Sequence, residues 1–138
     1  MSDSDILPDF TWPARVYWED TDAGGVVYYA NYLKFLERAR TEWLRALGVG
    51  QIELAANDGV VFVVRRIEAD YHKPARFDDA LLITCRLLTT GRASLEIGQT
   101  VQRDGESLLT ARVKAACVTS DSFRPVKIPP HILERFTK

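Results

Sequence analysis

After Asn31 the apolar residues recur at helical spacing. Tyr32, Leu33, Leu36, Ala39, Trp43, Leu44 and Leu47 fall along one stripe with Arg40 among them, and Lys34, Glu37, Arg38, Thr41, Glu42 and Arg45 fall opposite. Gly48 supplies the stop. The pattern predicts an amphipathic helix on the order of 17 residues, about 25 Å long at 1.5 Å per residue. A stripe of that length needs an extended surface to cover it. Further along, the period changes to two. Residues 59–71 open with the apolar run 60–64 and then alternate Ile67, Ala69 and Tyr71 against Glu68, Asp70 and His72, as a long strand leaving the core would. Residues 80–89, 92–103 and 106–120 read as further strands, the last with Leu109, Ala111, Val113, Ala115 and Cys117 on one face. Asp104-Gly105 lies between two alternating segments and predicts a two-residue type I′ hairpin turn. A short strand is expected at residues 15–18 and a last helical turn at 132–136. One long helix with about four long strands gives an α+β arrangement, an antiparallel sheet wrapped around a single helix.

Composition narrows the class. The 138 residues suit one domain, read as 1–138 with a polar leader at 1–12 and an exit segment at 121–138. With 18 basic against 19 acidic residues there is no polyanion-binding surface to expect, so nucleic acid is set aside as a partner. No apolar run reaches transmembrane length, and residues 1–10 lack a signal-peptide pattern, which makes the cytoplasm the default location. Cys85 and Cys117 lack metal-ligand spacing and alternate with polar residues, so they are read as buried, reduced thiols. Neither a metal nor a cofactor is called for.

Polar chemistry concentrates just ahead of the helix, where Glu19, Asp20, Thr21, Asp22, Ala23, Gly24 and Gly25 follow one another. The first N–H groups of a helix lack internal partners and carry partial positive charge, which suits them to a developing oxyanion. A carboxylate beside them could attack a carbonyl or activate water, and glycines let the backbone approach a ligand closely. Taken alone, an Asp in such a loop is more often a turn or capping residue than a catalyst.

The segment is more specific than that. It runs Asp20, Thr21, Asp22, Ala23, Gly24, Gly25, Val26, Val27, Tyr28, Tyr29, Ala30, Asn31, Tyr32, and the helix continues with Phe35, Glu37, Arg38, Ala39 and Arg40. This closely resembles the signature of the hydroxybenzoyl-CoA thioesterase family, Asp-x-Asp-x-x-Gly-hydrophobic-Val-aromatic-x-x-x-Tyr, and especially its tol-pal-associated acyl-CoA thioesterase branch. Residues 71–79 and 124–129 also look like family segments, so the likeness covers nearly the whole chain. The resemblance implies a hotdog fold, with two protomers joined sheet edge to sheet edge and active sites at the subunit interface. It implies Asp22 as the catalytic carboxylate and the Tyr29 N–H as the group that polarises the thioester carbonyl, with Asp20 as a loop-ordering acceptor. Many tol-pal-associated members carry His where this chain has Tyr29. His72 and His131 lie in segments unsuited to replace it, so Asp22 is expected to act without an imidazole. Attack by Asp22 to give a mixed anhydride and general-base activation of water both remain open.

The resemblance further implies an acyl-CoA substrate, a homo-oligomer (a dimer, or by analogy a tetramer of two dimers) and acyl carrier protein as an alternative donor. Gly24 and Gly25 would let the substrate approach. Arg92, Ser94 and Arg124 are candidates for the nucleotide phosphates, with Lys73 and Lys127 ranked lower. An apolar acyl pocket is expected between the helix and residues 60–64, limited by Phe62 or Val63. Trp43 is assigned to packing. The competing readings are a non-catalytic hotdog module that binds acyl-CoA or acyl carrier protein, a plain interaction domain, and a hydratase. The first two would not need Asp22, and the third would pair Asp with His in one motif.

Overall fold

A computed structural model describes residues 8–137. The elements in chain order are β1 (Phe10–Arg15), α1 (Tyr32–Ala46), α2 (Gln51–Asp58), β2 (Val60–Tyr71), β3 (Ala80–Thr90), β4 (Ser94–Arg103), β5 (Glu106–Thr119) and α3 (Pro130–Thr137). The five strands form one sheet in the order β1-β3-β4-β5-β2, antiparallel throughout. The fold is α+β with the long helix on one face of the sheet, as the hydrophobic pattern predicts.

α1 buries Tyr32, Phe35, Leu36, Ala39 and Trp43. They meet Leu81, Ile83 and Cys85 of β3, Leu95, Ile97 and Val101 of β4, and Leu109 and Cys117 of β5 in one core. The buried stripe differs by one position from the sequence reading, because Leu33 is 40% exposed and Phe35 takes its place. At about 100° per residue, position 33 turns away from the face that 32, 36, 39 and 43 share. Gly48 ends the helix as expected. Its φ is +82°, its N–H donates to the Arg45 carbonyl and the Val49 N–H reaches back to Leu44, which is a Schellman closure.

The Asp104-Gly105 turn has both residues at positive φ, 52° and 80°, as a type I′ turn requires. Both cysteines are buried and free. On β5 the alternation is interrupted, because Val101 pairs with Leu109 while Gln102 pairs with Ser107, and the extra residue, Leu108, is also buried.

The first strand is a correction. It spans Phe10–Arg15, earlier than residues 15–18, and Trp18–Asp20 is instead a 3-10 turn held by the Thr21 N–H on the Trp18 carbonyl. Of the stretch read as a leader, residues 1–7 lie outside the described residues and Phe10 to Trp12 belong to β1. α2 was not anticipated. Of its side chains only Leu54 is buried, too few to mark a helical stripe. No helix among the described residues is long and apolar enough to cross a membrane.

Candidate active site

The chain between β1 and α1 folds into a short hairpin laced by hydrogen bonds. Thr21 bridges Val27, the Asp22 N–H donates to the Val26 carbonyl and the Tyr28 N–H donates to the Asp20 carbonyl. The tip is a turn closed by the Gly25 N–H on the Asp22 carbonyl, and Gly25 sits at φ +78°, where a glycine is favoured. A second strip of chain holds this hairpin from outside. Val27 donates to the Ala75 carbonyl at 2.8 Å, Val26 bridges Arg76, and the Ala75 N–H donates to the Tyr32 hydroxyl at 2.9 Å. The Tyr71 hydroxyl, at the end of β2, donates to the Tyr29 carbonyl at 2.8 Å.

The strip is itself clamped. Arg103 Nη1 donates to Asp79 Oδ2 at 2.7 Å, and the Arg76 N–H donates to the same oxygen at 2.8 Å. Partial burial works to raise the Asp79 pKa, but the Arg76 amide and the Arg103 hydrogen bond and charge outweigh it and hold the carboxyl below its ordinary value.

The two aspartates of the hairpin have opposite environments. Asp20 is 8% exposed, and its carboxylate accepts the Tyr17 N–H at 2.8 Å while its carbonyl accepts the Asn31 amide at 2.9 Å. It orders the loop, as the sequence suggested. Asp22 is exposed, and its Oδ1 accepts the Gly24 N–H at 2.8 Å. A carboxylate offers about four lone-pair sites, so one such bond orients the group and leaves it able to react. Tyr29 opens the 3-10 turn Tyr29–Asn31 that runs directly into α1, and the first N–H groups of such a turn have no carbonyl partner within it. Asp22 thus lies at the turn end of the hairpin and Tyr29 at its helix end. The Tyr29 ring is 63% exposed and packs against Tyr28 at 4.6 Å between centroids.

The other predicted residues lie elsewhere. Arg92 lies in the β3–β4 turn and Ser94 opens β4, the turn being closed by the Gly91 N–H on the Ser94 carbonyl. Arg124 follows β5, where its carbonyl accepts the Thr119 N–H, and the exit segment returns to the same turn through the Ile128 N–H on the Arg92 carbonyl. Thr119 pairs with Val60, whereas the Asp22 hairpin is tied beside Tyr71 at the other end of β2. β2 has 12 residues, so at about 3.3 Å per residue some 36 Å of strand separates the two groups within one protomer.

Between α1 and the first half of β2 lies a cleft of about 140 Å³, walled by Trp43, Leu44, Phe62, Val63, Leu95 and Ile97. It is where the acyl pocket was expected. Trp43 also packs edge-on against Phe136 of α3. Arg40 and Glu37 of α1 line the same cleft. The sequence reading placed Arg40 on the apolar stripe without a role, and a charged residue at such a position was the available signal. No group of metal-binding side chains occurs among the described residues.

The sequence profile of the Thioesterase-like superfamily matches residues 16–136. This chain belongs to that superfamily. As a member it is a thioester hydrolase with a hotdog fold. Acyl-CoA thioesterase YbgC of Haemophilus influenzae is 42% identical over 127 residues, covering 92% of this chain and 93% of its own. Acyl-CoA thioester hydrolase YbgC of Escherichia coli O157:H7 is 44% identical over 128 residues, covering 92% and 95%. Among solved structures, a probable thioesterase from Bartonella henselae superposes with a TM-score of 0.83 at 37% identity, covering 86% of this chain and 98% of that one. A 1,4-dihydroxy-2-naphthoyl-CoA thioesterase from Synechocystis reaches 0.86 at 19% identity, covering 94% and 96%, a likeness that carries the fold.

Proposed function

We propose that this thioesterase hydrolyses acyl-CoA, with Asp22 as its catalytic carboxylate, the Tyr29 N–H as oxyanion donor and each active site shared between two chains. The observation that carries the reading is the exposed Asp22 carboxylate, oriented by Gly24 on a hairpin tied to Ala75 and Tyr71, directly before the first turn leading into α1. The named relatives at 42% and 44% identity are acyl-CoA thioesterases, which supplies the substrate class.

The sheet supports a shared site. β1 and β2 are its two edges. β1 carries Pro13, which lacks an N–H and blunts that edge. β2 offers twelve residues without proline or glycine, an edge suited to a partner. Antiparallel pairing of β2 with its own copy about a twofold axis sets the Tyr71 end of one chain against the Val60 end of the other. Asp22, Gly24, Gly25 and Tyr29 of one protomer then face the partner's Val63, Arg92, Ser94 and Arg124. The arginines would hold the nucleotide phosphates, and the cleft at Val63 the acyl group.

Two routes use the same atoms. Asp22 attacks the carbonyl carbon, the thiolate leaves and takes up a proton, and water cleaves the mixed anhydride to free acid and restored carboxylate. Alternatively Asp22 takes a proton from water as the water oxygen attacks, and the proton passes to the departing thiol. In either route the tetrahedral oxyanion is met by the Tyr29 N–H.

The test is thiol release from acyl-CoA thioesters of graded length, and from hydroxybenzoyl-CoA, by native protein and by Asp22→Asn. Asparagine keeps the acceptor for Gly24, so the variant should fold while kcat falls on the order of 10²–10⁴-fold. Turnover undiminished in the variant would remove Asp22 from the mechanism. CoA binding without cleavage by the native chain would leave a binding module instead.

A further inference from the structure

Arg40 is half-buried on the wall of the acyl cleft, and its Nη1 donates to Gln99 Oε1 at 2.9 Å. Gln99 is 2% exposed and fully committed, since its amide nitrogen donates to the Leu36 carbonyl at 3.0 Å and to Cys85 Sγ at 3.3 Å. Those bonds aim its oxygen at the guanidinium. The Cys85 thiol is pushed up by burial to about 12, so it brings no negative charge. Among the described residues no carboxylate lies within ion-pair distance of Arg40. Glu37, a turn earlier on the cleft wall, is exposed and accepts the Thr41 hydroxyl at 3.2 Å. A guanidinium has five N–H donors, and one bond to a neutral amide leaves most of them unused. Burial lowers the proton affinity of Arg40, and the nearby Cys85 and the Glu37 carboxylate offset this only in part.

The rest of the wall is mostly apolar, and the space is small. A cleft of about 140 Å³ is close to the roughly 150 Å³ that takes one benzene ring. A plain long alkyl chain would leave the guanidinium unsatisfied and overfill the cleft.

We propose that Arg40 receives a carboxylate at the far end of a short acyl group, so that the favoured substrates are monothioesters of dicarboxylic acids. This deepens the acyl-CoA thioesterase reading and rests on it. Planar bidentate pairing with a carboxylate is the contact a guanidinium makes best.

The experiment compares glutaryl- and adipyl-CoA with pentanoyl- and hexanoyl-CoA, which have the same chain lengths but end in methyl. The native enzyme is expected to favour the carboxylated member of each pair by about tenfold or more in kcat/KM. Arg40→Met should raise KM for adipyl-CoA and erase that preference, the loss in kcat/KM on adipyl-CoA exceeding any change on hexanoyl-CoA by about tenfold. Arg40→Lys, which keeps the charge and loses the fork, should retain part of the preference, and it serves where the methionine variant does not fold. Equal or better use of hexanoyl-CoA by the native enzyme overturns the assignment. So does a methionine variant impaired equally on both substrates, which would make Arg40 only a tie between α1 and β4. If the native enzyme cleaves hexanoyl-CoA without preference, this inference alone fails. If it cleaves no thioester, the acyl-CoA reading falls with it.

Discussion

At the Tyr71 end of β2 the chain is fixed from several directions. The Asp22 hairpin is bonded to Ala75, bridged to Arg76 and joined through Tyr29 to Tyr71, and the strip behind it is held by Asp79 and Arg103. At the Val60 end the contrast is plain. Arg92 and Arg124 are exposed side chains on a turn and an exit segment, held chiefly through their backbones. The difference fits the roles proposed for the two ends. A reacting carboxylate must stand within about half an ångström of its working position, whereas a cation meeting phosphates acts over a longer range and tolerates a mobile side chain. Because the length of β2 separates the two ends, the proposed site, which needs both, would be built from two protomers.

The sharpest way to break this view is to cripple the ends in separate chains. Asp22→Asn should abolish turnover, and Arg92→Ala with Arg124→Ala should lower kcat/KM by raising KM. When the two variants are unfolded and refolded together, half of the resulting dimers are mixed, and each mixed dimer carries one site with an intact Asp22 and intact arginines. With substrate well below the KM of the arginine variant, activity is expected to return to about one quarter of native. If each protomer held a complete site, mixing would restore nothing.

The next effect separates the two aspartates. Asp20→Ala removes a buried acceptor and leaves the Tyr17 N–H without its partner, so stability should fall by about 1–3 kcal/mol in urea titration. Activity should fall with it through a displaced loop. Asp22→Asn should leave the urea midpoint nearly unchanged. A chain in which both substitutions destabilise alike would mean that Asp22 also serves structure.

A smaller effect concerns the clamp. Because the Asp79 carboxyl titrates below its unfolded value of 3.8, its contribution is fully present above 3.8 and is lost as pH falls through the lower folded-state value. The melting temperature of Asp79→Asn should therefore lie below native at neutral pH, with the gap narrowing below pH 3.8. Parallel curves would show that the pair contributes nothing through ionisation.

Much of this was legible in the sequence, for identifiable reasons. α1, the four long strands and the Asp104-Gly105 turn follow from periodicity and turn chemistry, which act locally. Asp20 and Asp22 lie in a dense motif, although only the structure shows one buried and the other exposed. α2 was not legible, because one buried Leu54 makes no periodic signal. Nor was the first strand well placed, since Trp18 reads as a strand residue yet turns outward in a 3-10 turn and stacks on Phe77 at 3.9 Å. The pairing of Arg40 with Gln99 joins residues 59 apart in sequence, and no local pattern reports such a contact.

The mildest effect compares two glycines with the same backbone strain. Gly25 has φ +78° and Gly105 has φ +80°, and an added Cβ meets no atom within 4 Å at either. Alanine should therefore cost a similar amount at both positions, about 1 kcal/mol from the left-handed conformation alone. The consequences for catalysis should part. Gly105 is in the β4–β5 turn and adjusts there without touching the hairpin that carries Asp22. Gly25 closes the turn on the Asp22 carbonyl, so relaxation at residue 25 moves the carboxylate. Gly25→Ala is expected to lower kcat several-fold, on the order of the loss that follows a small misplacement of a reacting group, while Gly105→Ala lowers only stability. Equal kcat in the two variants would show that the turn tip does not set the position of Asp22, and that the ties to Ala75 and Tyr71 suffice.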